Sequence, residues 1–172
     1  MRSTSASAYS GVRAKSFAPD TFERALAVGA VALTLAVLAA LARGRAHWPQ
    51  VPWQVWAHLA TILLALALTP TMLLRPRGDR LHRRLGLVWV VAMIATAAIS
   101  FDVRLSAGGG LSLIHLLSVW TLIQVPIIWW SARRHNVARH RRAVRGMVFG
   151  ALLIAGFFTF PFGRMLGSWL FA

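Results

Sequence analysis

The chain contains no cysteine, a single lysine, and only four acidic residues, Asp20, Glu23, Asp79 and Asp102. Without thiols there is no disulfide framework, no thiolate metal site and no cysteine nucleophile. The scarcity of carboxylates excludes more. No acid lies inside a long apolar run, so no nucleophile–base–acid set can be assembled. A proton-coupled carrier normally places a carboxylate at mid-membrane, and none is available here. Gly108-Gly109-Gly110 lacks the Lys-Ser/Thr context of a phosphate-binding loop and reads as a flexible connection. Only 13% of the residues are charged, where a soluble domain averages about 25%.

What remains is apolar and basic. Hydrophobic residues make up 58% of the 172, and the formal net charge is +15. A nucleic-acid binder spreads Lys and Arg over a solvated face, whereas here long apolar runs separate tight basic clusters. That pattern excludes nucleic acid as the partner and fits a membrane protein with its cations in the loops. About 20 mostly apolar residues cross a bilayer as a helix. Five stretches qualify: 25–42, 53–74, 85–101, 111–132 and 147–170. Alternating ten-residue segments, the signature of a transmembrane barrel, are absent.

The cations orient these spans. Arg2, Arg13, Lys15 and Arg24 precede the first span; five Arg lie between spans two and three, and six between spans four and five. Together they place 15 of the 19 Lys and Arg on one side. The positive-inside rule then puts the N-terminus in the cytoplasm and the C-terminus outside. Trp48, Trp53, Trp56 and Trp169 fall at the expected outer boundary, and Trp129 and Trp130 at the inner one. Amphipathic rings gather at both interfaces, in agreement. Residues 1–22 read as a disordered basic tail, and 23–172 as one integral membrane domain of a bacterial inner membrane. The first apolar run exceeds the usual signal-peptide length, although small residues around Ala40–Ala46 keep cleavage as an alternative. Pro70, Pro126 and Pro161 are expected to kink or end helices. Gly146-x-x-x-Gly150 and Gly163-x-x-x-Gly167 match a close-packing helix motif.

Four of the six histidines form a pattern. "HLA" at His58 is followed 24 residues later by "HRRLG" from His82; "HLL" at His115 is followed 25 residues later by "HRRAVRG" from His140. Each unit reads as an outer histidine, a descending helix, an Arg-rich turn and a His-Arg-Arg opening the ascending helix. A parallel repeat would produce this. His58 and His115 then lie roughly 6–8 Å below the outer boundary, with His82 and His140 at the inner one. Ionisable side chains in a span are costly and point to function by default. Paired imidazoles can ligate b-type haem, with Arg side chains near the propionates. A metal ion alone is less well served, because two histidines do not close a site. The histidines can equally serve as interhelical hydrogen-bonding groups, and the inner pair can meet anionic lipid headgroups. His47 and His135 fall in loops.

The motifs "HLA", "LHRRLG", "IHLLS", "NVARHRRAVRG" and "FFTFPFGRMLG", in order over about residues 53–168, resemble a family of small bacterial predicted integral membrane proteins without assigned function. The resemblance implies a helical membrane domain with His58, His82, His115 and His140 as signature positions, and no activity. One histidine on each of four helices also looks like two-haem b-type transmembrane cytochromes, an analogy of arrangement only. The expected architecture is all-α: one peripheral helix and a four-helix histidine-bearing bundle. Its expected partners are the lipid bilayer, anionic headgroups at the cytoplasmic loops, and a quinone or redox protein.

Overall fold

A computed structural model describes residues 18–106 and 113–171. The glycine loop at 108–110 and most of the expected basic tail lie outside them. Helix α1 spans Thr21–Arg43 and leads into a 3-10 helix, Gly44–Gln50. Helices α2 (Trp53–Leu74), α3 (Arg80–Ser106) and α4 (Leu113–Arg133) follow. Helix α5 starts as Val137–Met147, continues through a π-helical stretch, Val148–Ile154, and ends as Ala155–Phe157. A short α6 covers Met165–Phe171. No strand occurs among the described residues.

Local chemistry sets the starts of three helices. Asp20 and Glu23 form a reciprocal capping box at α1, each carboxylate accepting the other's backbone N–H. Asp79 Oδ1 accepts from His82 N at the start of α3, and Asn136 Oδ1 from Arg139 N at the start of α5. The tight connections use left-handed backbone at Gly78 (φ 85°) and His135 (φ 53°). Pro70 and Pro126 sit within α2 and α4 without ending them.

The helices alternate in direction and pack in a ring, each on its chain neighbours, with α5 closing on α1. This closure corrects the expectation of a peripheral first helix. Leu26, Ala27, Ala30, Val37 and Ala40 of α1 are all buried. Helices α1 and α5 run parallel: Phe22 meets Phe149 with ring centroids 6.4 Å apart. A Cβ on Gly29 would stand 3.0 Å from Leu153 Cδ1, and one on Gly156 2.4 Å from Leu33 Cδ2. These two glycines let the backbones approach, and neither belongs to the motifs singled out from sequence. Gly163 has left-handed backbone (φ 67°) in a turn, so Gly163-x-x-x-Gly167 is not a helix-packing stripe.

Among the described residues, four helices are long and apolar enough to cross a membrane: those within Thr21–Gln50, Trp53–Leu74, Arg80–Asp102 and His115–Arg133. The fifth expected span, 147–170, is not one helix. The chain leaves α5 at Phe157 and reverses through Pro161 and left-handed Phe162 (φ 65°) and Gly163 before α6. Proline has no N–H to continue the ladder, and left-handed residues cannot propagate a right-handed helix. The turn folds α6 back onto the end of α1 and the 3-10 helix. Here Trp169 covers Gly44, whose Cβ position lies only 2.2 Å from the indole.

The main core, including Leu66, Trp89, Met93, Val125, Met147 and Leu152, fills the half of the ring nearer the Arg-rich turns. A smaller cluster of Val37, Ala40, Leu59, Leu166 and Trp169 fills the opposite end. Polar cross-links hold α3 in register on α2. Trp89 Nε1 donates to Thr69 Oγ1 at 3.1 Å, and Thr96 Oγ1 to Thr61 Oγ1 at 2.8 Å. Large apolar side chains on the outside of the ring, among them Val28, Leu35, Val91, Leu116 and Ile123, are exposed.

Candidate functional site

At the Arg-rich end, α1, the α2–α3 turn and α5 meet on one carboxylate. Glu23 is 1% exposed, and its oxygens accept from Arg77, from Arg141 at 2.8 and 2.9 Å, and from Arg145 at 3.3 Å. Asp20 pairs with Arg145 and, at 3.2 Å, with Arg141. The backbone N–H of Glu23 holds the Asp20 carboxyl below its ordinary value; desolvation opposes it, and the Arg145 and Arg141 guanidiniums reinforce it. Sequence reading missed this cluster. The D-x-x-E capping signal at residues 20–23 was legible, but partners 54 to 125 residues away were not.

The same end holds both His82 and His140. They lie near the starts of α3 and α5. His140 Nδ1 donates to the Ile128 carbonyl of α4 at 3.0 Å. A carbonyl only accepts, so in the neutral ring Nε2 is left with its lone pair exposed for another partner. His82 Nδ1 is buried with no hydrogen-bond partner among the described residues. Such orphans are rare, and each calls for an explanation. Burial pushes the His140 imidazole below its ordinary value, the Ile128 carbonyl opposes this, and the nearby Arg77 charge reinforces it.

The other two signature histidines take different environments. His58 lines a cavity of about 590 Å³ between the helices of the ring, toward the end away from the Arg-rich turns. Its Nδ1 lies 3.4 Å from Ser100 Oγ of α3. His115 is 5% exposed, packs on Phe101 with ring centroids 5.4 Å apart, and does not line that cavity. His58 and His115 thus flank consecutive residues of α3, Ser100 and Phe101. His47 stacks on Trp169 at 6.1 Å, and His135 forms the exposed turn between α4 and α5. No group of three or more His, Asp or Glu suited to a metal ion occurs among the described residues.

The cavity was not foreseen either. Thr96, Ser100, Ser118, Thr121 and Arg164 join His58 in its polar lining, among apolar side chains that include Leu66, Met93 and Leu152. The π-helical stretch of α5 contributes Ala151 and Leu152 to its wall. Interruptions of this kind recur at functional sites. Comparison with protein-family models, curated proteins and solved structures finds no match to this chain.

Proposed function

We propose that the chain is a multi-pass protein of a bacterial inner membrane that holds b-type haem between His82 and His140 and exchanges electrons with a quinone or a redox protein. The membrane assignment rests on the four long apolar helices and the outward-facing apolar side chains. In water, exposed apolar area on this scale would drive association. The Arg-rich turns then lie on the cytoplasmic side. There Arg133 and Arg134 stack on Trp129 and Trp130, 4.3 and 4.8 Å from the ring centroids, and suit anionic headgroups.

The haem reading is carried by one observation: two half-buried histidines from different helices share the Arg-rich end of the bundle, His140 anchored through Nδ1 and His82 with an orphaned buried nitrogen. A ligating histidine commonly donates its other N–H to a carbonyl, which fixes ring orientation and raises basicity. His140 on Ile128 has this form. The Arg clusters of the turns at this end would supply positive charge for propionates. Bound there, iron supplies one-electron exchange. The same reading for His58 and His115 has less support, since only His58 opens on the cavity. The alternative is a non-catalytic structural, assembly or lipid-associated protein. In favour of it, His140 ties α5 to α4 and His58 approaches Ser100 across the α2–α3 contact.

Absorption spectra of protein purified from haem-replete cells separate the two. Haem binding gives a Soret band that His82→Ala and His140→Ala each abolish and His58→Ala retains. A wild-type protein without a Soret band sinks the haem proposal. Topology is tested by labelling: the chain has no cysteine, so Ala138→Cys and Ser168→Cys report alone. Modification of Ala138→Cys by an impermeant maleimide in intact cells overturns the orientation.

A further inference from the structure

The acids at the Arg-rich end are taken up on one part of it. Asp79 pairs with Arg75, and Asp20 and Glu23 between them with Arg77, Arg141 and Arg145. The sequence holds one other acid, Asp102, near the opposite end of α3. Around the turn from α4 to α5, Arg133, Arg134, Arg139 and Arg142 are exposed and have no ion-pair partner among the described residues. Exposure alone does not set them apart, since Arg83 and Arg84 of α3 are exposed too. Two of them differ in resting on an indole. The Arg133 guanidinium lies 4.3 Å from the Trp129 ring centroid, and that of Arg134 4.8 Å from Trp130. Each ring stands four residues back along α4, about 6 Å nearer the apolar length of the helix. The guanidiniums therefore fold back from water toward it. Trp129 and Trp130 are themselves 38% and 54% exposed. Leu116, Ile123 and Trp130 recur every seven residues, so they share one outer face of α4, and all three are exposed.

We infer that the turn from α4 to α5 binds diphosphatidylglycerol, a lipid with two phosphates in one headgroup, through Arg133 and Arg134, with its acyl chains along the outer face of α4. Two neighbouring cations without counter-ions meet two neighbouring anions. Once one phosphate is held, the second arrives within the same molecule, which raises its effective concentration. A guanidinium takes phosphate through paired N–H donors. Indoles favour the boundary between headgroups and hydrocarbon, so they seat the guanidiniums at the depth of lipid phosphate. Basic clusters beside transmembrane helices on the cytoplasmic side suit this headgroup. A nucleic acid or free phosphate would leave the indoles and the apolar face unused, and a single-phosphate lipid would satisfy one guanidinium. The site rests on the membrane assignment and narrows its headgroup contact to one lipid and one turn; it does not rest on haem.

The test is native mass spectrometry of the full chain in detergent micelles, titrated separately with tetraoleoyl diphosphatidylglycerol, dioleoyl phosphatidylglycerol and a short oligouridylate. The first is expected to add as one equivalent, held about tenfold more tightly than the second. Arg133→Gln with Arg134→Gln is expected to remove that preference. Arg83→Gln with Arg84→Gln takes the same charge from the same end and is expected to leave it intact. Trp129→Leu with Trp130→Leu keeps the charge and is expected to weaken diphosphatidylglycerol about two- to tenfold, because the guanidiniums lose their seats. The inference is overturned if the two lipids bind alike, or if the Arg83 and Arg84 changes matter as much as those at Arg133 and Arg134. It is equally overturned if the tryptophan changes have no effect, or if the oligouridylate binds as tightly as the lipid. Failure of the membrane assignment shows separately, as wild-type protein recovered from cells in the soluble fraction without detergent.

Discussion

Glu23→Gln is the most informative single substitution. It keeps the shape of the side chain and removes one negative charge from a position 1% exposed. The Arg77, Arg141 and Arg145 side chains around it are 11%, 21% and 26% exposed, so water screens them only in part. Asp20 continues to pair with Arg141 and Arg145, but it is 45% exposed. The glutamine amide also turns N–H donors toward guanidinium donors. Removing one partner of a buried ion pair costs about 3–5 kcal/mol, because the remaining charge stays desolvated. The partial exposure of the arginines puts the expected loss near the lower figure, about 3 kcal/mol. Thermal unfolding in detergent or nanodiscs, followed by the intrinsic fluorescence of the eight tryptophans, measures it. Arg77→Leu in the Glu23→Gln background is then expected to restore part of the loss, since it removes one of the three cations that converge on residue 23. A Glu23→Gln protein as stable as wild type to within about 0.5 kcal/mol refutes the view that this cluster anchors α1 to the bundle.

Acidification gives a second readout. The folded His140 imidazole titrates below its ordinary value of 6.5, so the unfolded chain binds its proton first as pH falls. The contribution of this residue is intact above that value and is lost progressively below it. Wild type should therefore melt earlier at pH 5 than at pH 8, and His140→Gln should show a smaller difference; equal slopes disprove it. The Asp79 carboxyl is held below 3.8, first by its Arg75 hydrogen bond and then by the His82 N–H. Loss of this cap is expected only at more acid pH, as the carboxylate protonates. Gly167→Ala places a Cβ 1.7 Å from the Phe160 carbonyl oxygen. Because that neighbour is backbone, α6 must shift; a cost of about 1–3 kcal/mol or more is expected, and a neutral melting temperature refutes the packing. Trp89→Phe removes the 3.1 Å bond to Thr69 and should lower stability by about 1 kcal/mol beyond the change in packing. Thr69→Val in the same background tests this, since the two effects should not add.

The expectation of helices over 25–42, 53–74, 85–101 and 111–132 needed no tertiary information, because a run of apolar side chains long enough to span hydrocarbon satisfies its own backbone only as a helix. Each lies within or largely overlaps a helix of the fold. The run over 147–170 has the same composition and a different outcome. Its interruption by Pro161, Phe162 and Gly163 is a matter of backbone geometry, which hydropathy does not register. The four histidines were legible as a pattern of spacing, and helical rise gave their depth. Depth does not specify azimuth. His82 and His140 both fall at the Arg-rich end, while His115 turns onto Phe101 and away from the cavity that His58 lines.

The sequence by itself determined an all-helical chain of long apolar segments with its cations sorted to alternate ends, since both properties follow from side chains read one at a time along the chain. Closure of the ring was decided only in three dimensions. Gly29 and Gly156 become contact points once α1 and α5 lie parallel, and Glu23 becomes an anchor once Arg77, Arg141 and Arg145 converge on it. Thr121 and Arg164 join His58 around one cavity only because α1 to α6 and the turn before α6 come together to line it. These relations link residues up to 125 positions apart. Their physical cause is packing between helices, which no local pattern encodes.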